Sequence, residues 1–181
     1  MFVAKELFLT HGVGKSKEKL TSFEMALRDA GIAALNIVRV SSIFPPGAQL
    51  ISRQRGMQKL VPGAVTFVVM SDNATNEPHR LISASVGVAI PRNRHLYGYL
   101  SEHHGYGQTA KVAGDYAEDL AATMLATILG VDFDPDKSWD EKQEVWKISG
   151  QFFKTCNNTQ TAVGDKNGLW TTVVSAAVLL L

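Results

Sequence analysis

Asn36-Ile37-Val38-Arg39-Val40-Ser41-Ser42-Ile43-Phe44-Pro45-Pro46 is the stretch on which the reading of the chain turns. Ile37, Val38 and Val40 are β-branched and partly alternating, which predicts a strand ending near the paired serines. Pro45 and Pro46 have no N–H to give to a ladder and force an extended exit. Two hydroxyls therefore stand at the end of a strand, on a backbone pinned on both sides.

Two readings of this stretch are open. A serine pair before two prolines serves well as a plain strand-to-loop turn. Alternatively, the Ser42 hydroxyl, held in a fixed turn, attacks the carbonyl of Ser41 and converts that peptide to an ester. Elimination then cuts the chain and leaves dehydroalanine at position 42. Hydrolysis of that residue gives a pyruvoyl group, a ketone carried by the protein itself.

The chain has 181 residues, enough for one domain with a real core. Its 45% apolar content and mixed charge fit a soluble globular protein. A net charge of +1 gives no electrostatic case for nucleic acid or a membrane surface as partner. Cys156 is the single cysteine and cannot form an internal disulfide, which fits a reducing cytoplasm. Met1 is followed by a short mixed segment with Lys5 and Glu6, which does not read as a signal peptide. The apolar run near the C-terminus is too short and interrupted to span a bilayer.

Residues 2–10 predict a first strand. Gly12-Val13-Gly14-Lys15-Ser16 is not a phosphate loop, because that pattern needs a glycine where Leu9 stands; it reads as a basic, solvated loop. Thr21 to Ala30 predicts a helix with Phe23, Leu27 and Ala30 on one face and Gly31 as its stop. Thr21 and Glu24 have the spacing of a capping box. Glu24 thus has two readings, a helix cap or a carboxylate for a cationic substrate. Residues 47–63, with Arg53, Arg55 and Lys59, read as a solvated loop.

A strand is predicted from Ala64 to Met70, a turn from Ser71 to His79, and a strand from Leu81 to Ile90. The small residues Ser83, Ala84, Ser85, Gly87 and Ala89 suit close approach by another sheet or backbone. Adjacent His103 and His104 would point to opposite faces of a strand, and no histidine has ligand spacing, so no metal site is expected. Thr109 to Leu129 predicts a long helix with Val112, Tyr116, Leu120, Met124 and Ile128 as its core stripe and Gly130 as its stop. An acidic loop is predicted at 132–140. Strands follow at 145–148 and 169–180, with a polar Asn/Thr/Gly loop between them. Two helices among many strands indicate α+β.

The segment Asn36–Pro46 resembles the self-cleaving region of pyruvoyl-dependent arginine decarboxylases. The similarity extends to Phe23-Glu24-Met25-Ala26-Leu27 and Ala30-Gly31-Ile32 upstream. Downstream it includes Gly63-Ala64, Ile82-Ser83-Ala84, Val86 to Pro91, Glu102 and Gly105, in the family's order and at similar spacing. It covers most of residues 20–130 and the ends more weakly. The resemblance implies a four-layer αββα sandwich with mostly antiparallel sheets. It implies one domain over 1–181, cut between Ser41 and Ser42 into 1–41 and 42–181, and a homotrimer with its sites at subunit contacts.

The implied reaction converts L-arginine to agmatine and carbon dioxide. Loss of the carboxylate leaves negative charge on carbon, which a pyruvoyl carbonyl at position 42 delocalises, as pyridoxal phosphate does elsewhere. By resemblance, Glu102 is the acid that protonates that carbon, a role that calls for burial beside Tyr97, Tyr99 and Tyr106 to raise its pKa. Asn36 would polarise the Ser41 carbonyl during self-cleavage. Glu24 and Leu27 would line the substrate pocket, Glu24 facing the guanidinium in bidentate geometry. The family has aspartate where this sequence has Glu24, and the extra methylene bears on pocket depth. Alternatives are the same chemistry on another amino acid and an unprocessed assembly or regulatory subunit. No lysine has a recognisable pyridoxal setting.

Overall fold

Leu7 and Leu9 of the first strand face one buried cluster and Phe8 between them faces another. This alternation is what a strand buried on both faces requires, and it recurs along the chain. The computed structural model describes residues 2–130 and 153–181. In order these form β1 (Glu6–Ser16), α1 (Lys19–Asp29), β2 (Asn36–Arg39), β3 (Ile43–Phe44), β4 (Gln49–Leu50), α2 (Arg53–Met57), β5 (Val65–Thr75), β6 (Leu81–Pro91), β7 (Gly98–Tyr106), α3 (Ala110–Leu129), β8 (Phe153–Val163) and β9 (Trp170–Leu180). The protein is α+β.

One sheet has the order β2-β5-β9-β1-β4 and the other β3-β7-β6-β8. The first is mixed: β2 lies parallel to β5 and β4 parallel to β1, whereas β9 runs antiparallel to β5 and β1. The second is antiparallel throughout. Leu7, Val69 and Ala177 of the first sheet share a buried cluster with Val86, Val88, Ile90 and Leu100 of the second. Ala26 of α1 and Ala30, which caps that helix, are buried with Phe8, Val68 and Val178 of the first sheet. Ala121, Ala122 and Leu125 of α3 are buried with Ala89 of the second. None of the helices described is long and apolar enough to cross a membrane.

Several predicted elements are moved by packing. Gly12 to Ser16 is not a solvated loop but the second half of β1. A Cβ on Gly12 would lie 2.3 Å from the Ala26 carbonyl oxygen and one on Gly14 2.2 Å from that of Ser22, so these glycines let α1 lie on the strand. α1 begins at Lys19 with Glu18 at the cap position and no side-chain cap bond, which places Thr21 and Glu24 inside the helix and removes the capping box. Residues 47–63 contain β4 and α2 rather than a bare loop. Arg55 and Lys59 pair with Glu6, and Arg53 donates to Thr10 Oγ1 and to the Asp29 and Ala30 carbonyls. β5 continues to Thr75 through what reads as a turn, because Ser71 donates to the His103 carbonyl and Asn73 to that of Gly105.

The close approach expected of β6 occurs: a Cβ on Gly87 would stand 2.0 Å from the Ala117 carbonyl oxygen of α3. The face of α3 that makes this contact is small, with Ala113, Gly114, Ala117 and Ala121 buried. The predicted stripe is therefore displaced outward, leaving Val112 53% and Tyr116 50% exposed. Thr109 caps α3 through a bond from Val112 N, and Gly130 closes it in the left-handed conformation. Part of the polar stretch taken for a loop is β8, paired along its full length with β6. The acidic loop at 132–140 and the strand at 145–148 lie outside the described residues.

Candidate active site

Ser41 and Ser42 occupy the point where the chain leaves one sheet for the other. β2 belongs to the first sheet and β3 to the second, and only Val40, Ser41 and Ser42 separate them. The last tie to the first sheet is Val40 N to the Val68 carbonyl, 3.0 Å. The first tie to the second is Leu100 N to the Ser42 carbonyl, 2.8 Å. Between these anchors Ile43 N donates to the Ser41 carbonyl at 2.9 Å. That bond spans residues i and i+2 and makes a γ-turn centred on Ser42. His79 is the sole described non-glycine residue with positive φ, so the turn is of the inverse, less strained kind.

The exit is held as firmly. Phe44 is 1% exposed in the core and faces Gly98, where a Cβ would come within 3.2 Å of Phe44 Cβ. The Arg94 guanidinium donates to the Ala48 carbonyl and lies 5.9 Å from the Phe44 ring centroid. Ser41 also lines an apolar cleft of about 460 Å³, with Val40, Ile43, Pro45, Phe67 and Leu179 among its walls.

Glu102 stands on β7 two residues beyond Leu100, on the same face. Its Oε1 accepts from Met70 N at 3.2 Å. Met70 follows Val68 by two residues on β5, so its N–H is the next donor after β2 has left the ladder. The carboxylate therefore marks the same crossover as the serines. The expected burial beside tyrosines is not found within one chain: Glu102 is exposed. Tyr99 packs instead against the α3 cluster, with Tyr97 edge-on to it, and Tyr106 lies beneath Arg80. Burial, and then the bond with Tyr97, push the Tyr99 hydroxyl above its usual range.

Asn36, Glu24 and Leu27 are placed elsewhere in the chain. Asn36 is at the start of β2, where its side-chain amide donates to the Gly63 carbonyl at 2.7 Å. Five residue steps along an extended chain separate it from Ser41, about 16 Å at strand rise, so the Ser41 carbonyl of its own chain is out of its reach. Glu24 and Leu27 belong to α1, on the face of the first sheet opposite the cluster shared with the second. Leu27 is half-buried there, and both oxygens of Glu24 lie 2.7 Å from Arg28 Nε. Sequence reading missed the Ile43 N–H and Arg94. A backbone donor has no side-chain signature, and Arg94 acts across a hairpin far along the chain.

A family model described as pyruvoyl-dependent arginine decarboxylase matches residues 6–181. The chain is 61% identical over 179 residues to the pyruvoyl-dependent arginine decarboxylase of Nitrosopumilus maritimus, spanning 99% of this chain and 98% of that protein. It is 59% identical, with the same coverage, to a protein of Chloroherpeton thalassium described as a probable pyruvoyl-dependent arginine decarboxylase. Pyruvoyl-dependent arginine decarboxylase 2 of Methanosarcina acetivorans is 52% identical over 178 residues, spanning 98% of this chain and 97% of that protein.

Proposed function

The chain belongs to the pyruvoyl-dependent arginine decarboxylase family, and on that premise we propose that it cuts itself between Ser41 and Ser42 and decarboxylates L-arginine to agmatine and carbon dioxide. The observation that carries the cleavage reading is the γ-turn on Ser42, strung between anchors in two different sheets. With both ends fixed, the Ser42 hydroxyl and the Ser41 carbonyl are held close, and the entropy of bringing them together is already spent by folding.

The Ser42 Oγ bonds to the Ser41 carbonyl carbon, the peptide C–N bond breaks, and its nitrogen takes a proton to become the free amine of Ser42. Loss of the Ser42 Cα proton then breaks the Cβ–O bond. Ser41 leaves as a carboxylate and dehydroalanine remains. One water is consumed and one ammonia released as this residue becomes pyruvoyl. The fit of that group to position 42 is supported by the small, polar residue there, between Ser41 and Ile43, which both line the cleft. When formed, the group supplies a carbonyl that joins the substrate amine and accepts the charge freed by loss of carbon dioxide. Glu102 holds the proton returned to the substrate carbon. Its orientation by Met70 N supports that role.

Glu24 and Leu27 bind substrate, and Asn36 assists at the cleavage site, in an assembly of three copies. Support for this comes from the arrangement within one chain: Glu102 is exposed, while Asn36 and Glu24 lie away from the Ser42 of their own chain. Phe2 and Leu181, which line the cleft together with Ser41, are 83% and 61% exposed, an apolar surface of the sort that a second copy covers. The clusters shared by α1 with the first sheet, by both sheets, and by α3 with the second support αββα layering over a single domain. Residues 1–41 carry β1, which lies between β9 and β4, so the cut halves stay one folded unit.

The test is reductive trapping. Borohydride with arginine present is expected to add substrate-derived mass to the 42–181 fragment alone. Absence of that mass from a cleaved, catalytically active preparation would remove position 42 from the reaction.

A further inference from the structure

We propose that the backbone N–H of Ile43 is the group that activates the Ser41 carbonyl for attack and holds its oxygen as negative charge develops there. The inference rests on the cleavage reading above. Ile43 N lies 2.9 Å from the Ser41 carbonyl oxygen, a normal hydrogen-bond distance, and that oxygen belongs to the carbonyl that the Ser42 hydroxyl must reach.

The donor is free for this task because of strand register. Ile43 faces Tyr99 and Phe44 faces Gly98 across the β3–β7 pair. Leu100 N donates to the Ser42 carbonyl, which makes Ser42 and Leu100 a bonded pair. In an antiparallel ladder bonded and non-bonded pairs alternate. Ile43 is therefore at a non-bonded position, and its N–H turns away from β7, back toward Ser41. The same chain path that puts Ser42 in reach of Ser41 thus aims a donor at the oxygen between them.

A donor fixed before reaction stabilises an oxyanion without reorganisation, whereas water would have to turn. When the Ser41 carbon becomes tetrahedral, its oxygen gains charge and the Ile43 bond strengthens. The bond to Leu100 holds the far side of the turn, so the donor cannot follow the carbonyl away. Asn36, whose amide is committed to Gly63 at the other end of β2, does not supply this contact within the chain. The sequence offers the donor for a simple reason: prolines occupy positions 45 and 46 but not 43.

The experiment compares cleavage rates by denaturing intact mass for the wild type, Ile43→Pro, Ile43→Ala and a chain with the α-hydroxy analogue of isoleucine at position 43. The proline and hydroxy-acid chains lack the N–H; alanine keeps it and removes only the side chain. The first two should cleave about a hundredfold or more slowly, the scale of losing one oxyanion donor, and the alanine chain should cleave far faster than the proline chain. Cleavage of the hydroxy-acid chain at the wild-type rate would overturn the proposal, as would equal slowing by alanine and proline. If proline prevents folding, the hydroxy-acid chain, which keeps shape and side chain, decides alone. A wild-type chain that never cuts would instead overturn the cleavage reading beneath.

Discussion

Glu24→Gln separates a surface residue from a substrate ligand by magnitude. Glu24 is 42% exposed and its partner Arg28 71% exposed, in an i,i+4 pair on α1. Such pairs contribute about 0.3–0.5 kcal/mol, so losing this one should leave the urea midpoint almost unmoved. A carboxylate that meets a guanidinium in a closed pocket is worth far more: truncating one partner of a desolvated pair costs about 2–5 kcal/mol. At about 1.4 kcal/mol per tenfold, that is a fall of roughly thirtyfold to a few thousandfold in kcat/KM. The assay is carbon dioxide release from arginine, lysine, ornithine and histidine, normalised to the cut fraction, with urea unfolding in parallel. Glu24→Asp, which restores the family's residue, reads pocket depth. It should lower arginine use moderately if the pocket is built around the longer side chain, and improve it if glutamate reflects a shorter substrate. Identical profiles for all three proteins would refute the ligand assignment and leave Glu24 as a surface ion pair.

Glu102→Gln should cleave normally but turn over arginine about a hundredfold or more slowly, the usual scale for a lost general acid; an unchanged rate per cut chain would remove Glu102 from the mechanism. Gly87→Ala should destabilise the fold by about 1–3 kcal/mol in urea, because its Cβ would meet the Ala117 carbonyl; wild-type stability would contradict the helix–strand contact. Burial, and then the charge of Glu118, raise the Cys156 thiol above its usual range. The native protein at pH 8 should therefore react with a disulfide reagent much more slowly than the urea-unfolded chain, since the thiolate is the reactive form. Equal rates would show the thiol to be open.

How much could be read in the residues follows from what burial selects. β5 and β9 announce themselves through β-branched runs, and α1 and α3 through helical spacing with Gly31 and Gly130 after them. β8 did not, because its sequence Cys156-Asn157-Asn158-Thr159-Gln160-Thr161 has no apolar alternation. Its polar groups are satisfied instead by partners distant in sequence: Asn157 donates to Glu118, Thr159 to Ser85, and Asn158 to Ser175 and the Thr10 carbonyl. α3 misled in the opposite direction. Its large residues recur at helical spacing, but β6 is so small that backbone contact, through Ala117 and Gly87, is the tighter packing.

The cleavage stretch was legible because proline and β-branching act locally. The relation of Asn36 to Ser41 was not, since six residues in a sequence look near and become about 16 Å when the strand is extended. The exposure of Glu102 likewise depends on β3 being only two residues long, which leaves that part of β7 at a sheet edge.

Denaturing intact mass of the freshly purified and the incubated protein tests self-cleavage between Ser41 and Ser42 most directly. Two species are expected, residues 1–41 ending in a free carboxylate and residues 42–181 beginning with a pyruvoyl group that blocks sequencing. Together they should weigh as the uncut chain plus one water less one ammonia. The Ser42→Ala chain, lacking the attacking hydroxyl, should remain whole. A wild-type chain that stays at full mass after prolonged incubation, or a Ser42→Ala chain that cuts as the wild type does, would contradict self-cleavage by the Ser42 hydroxyl.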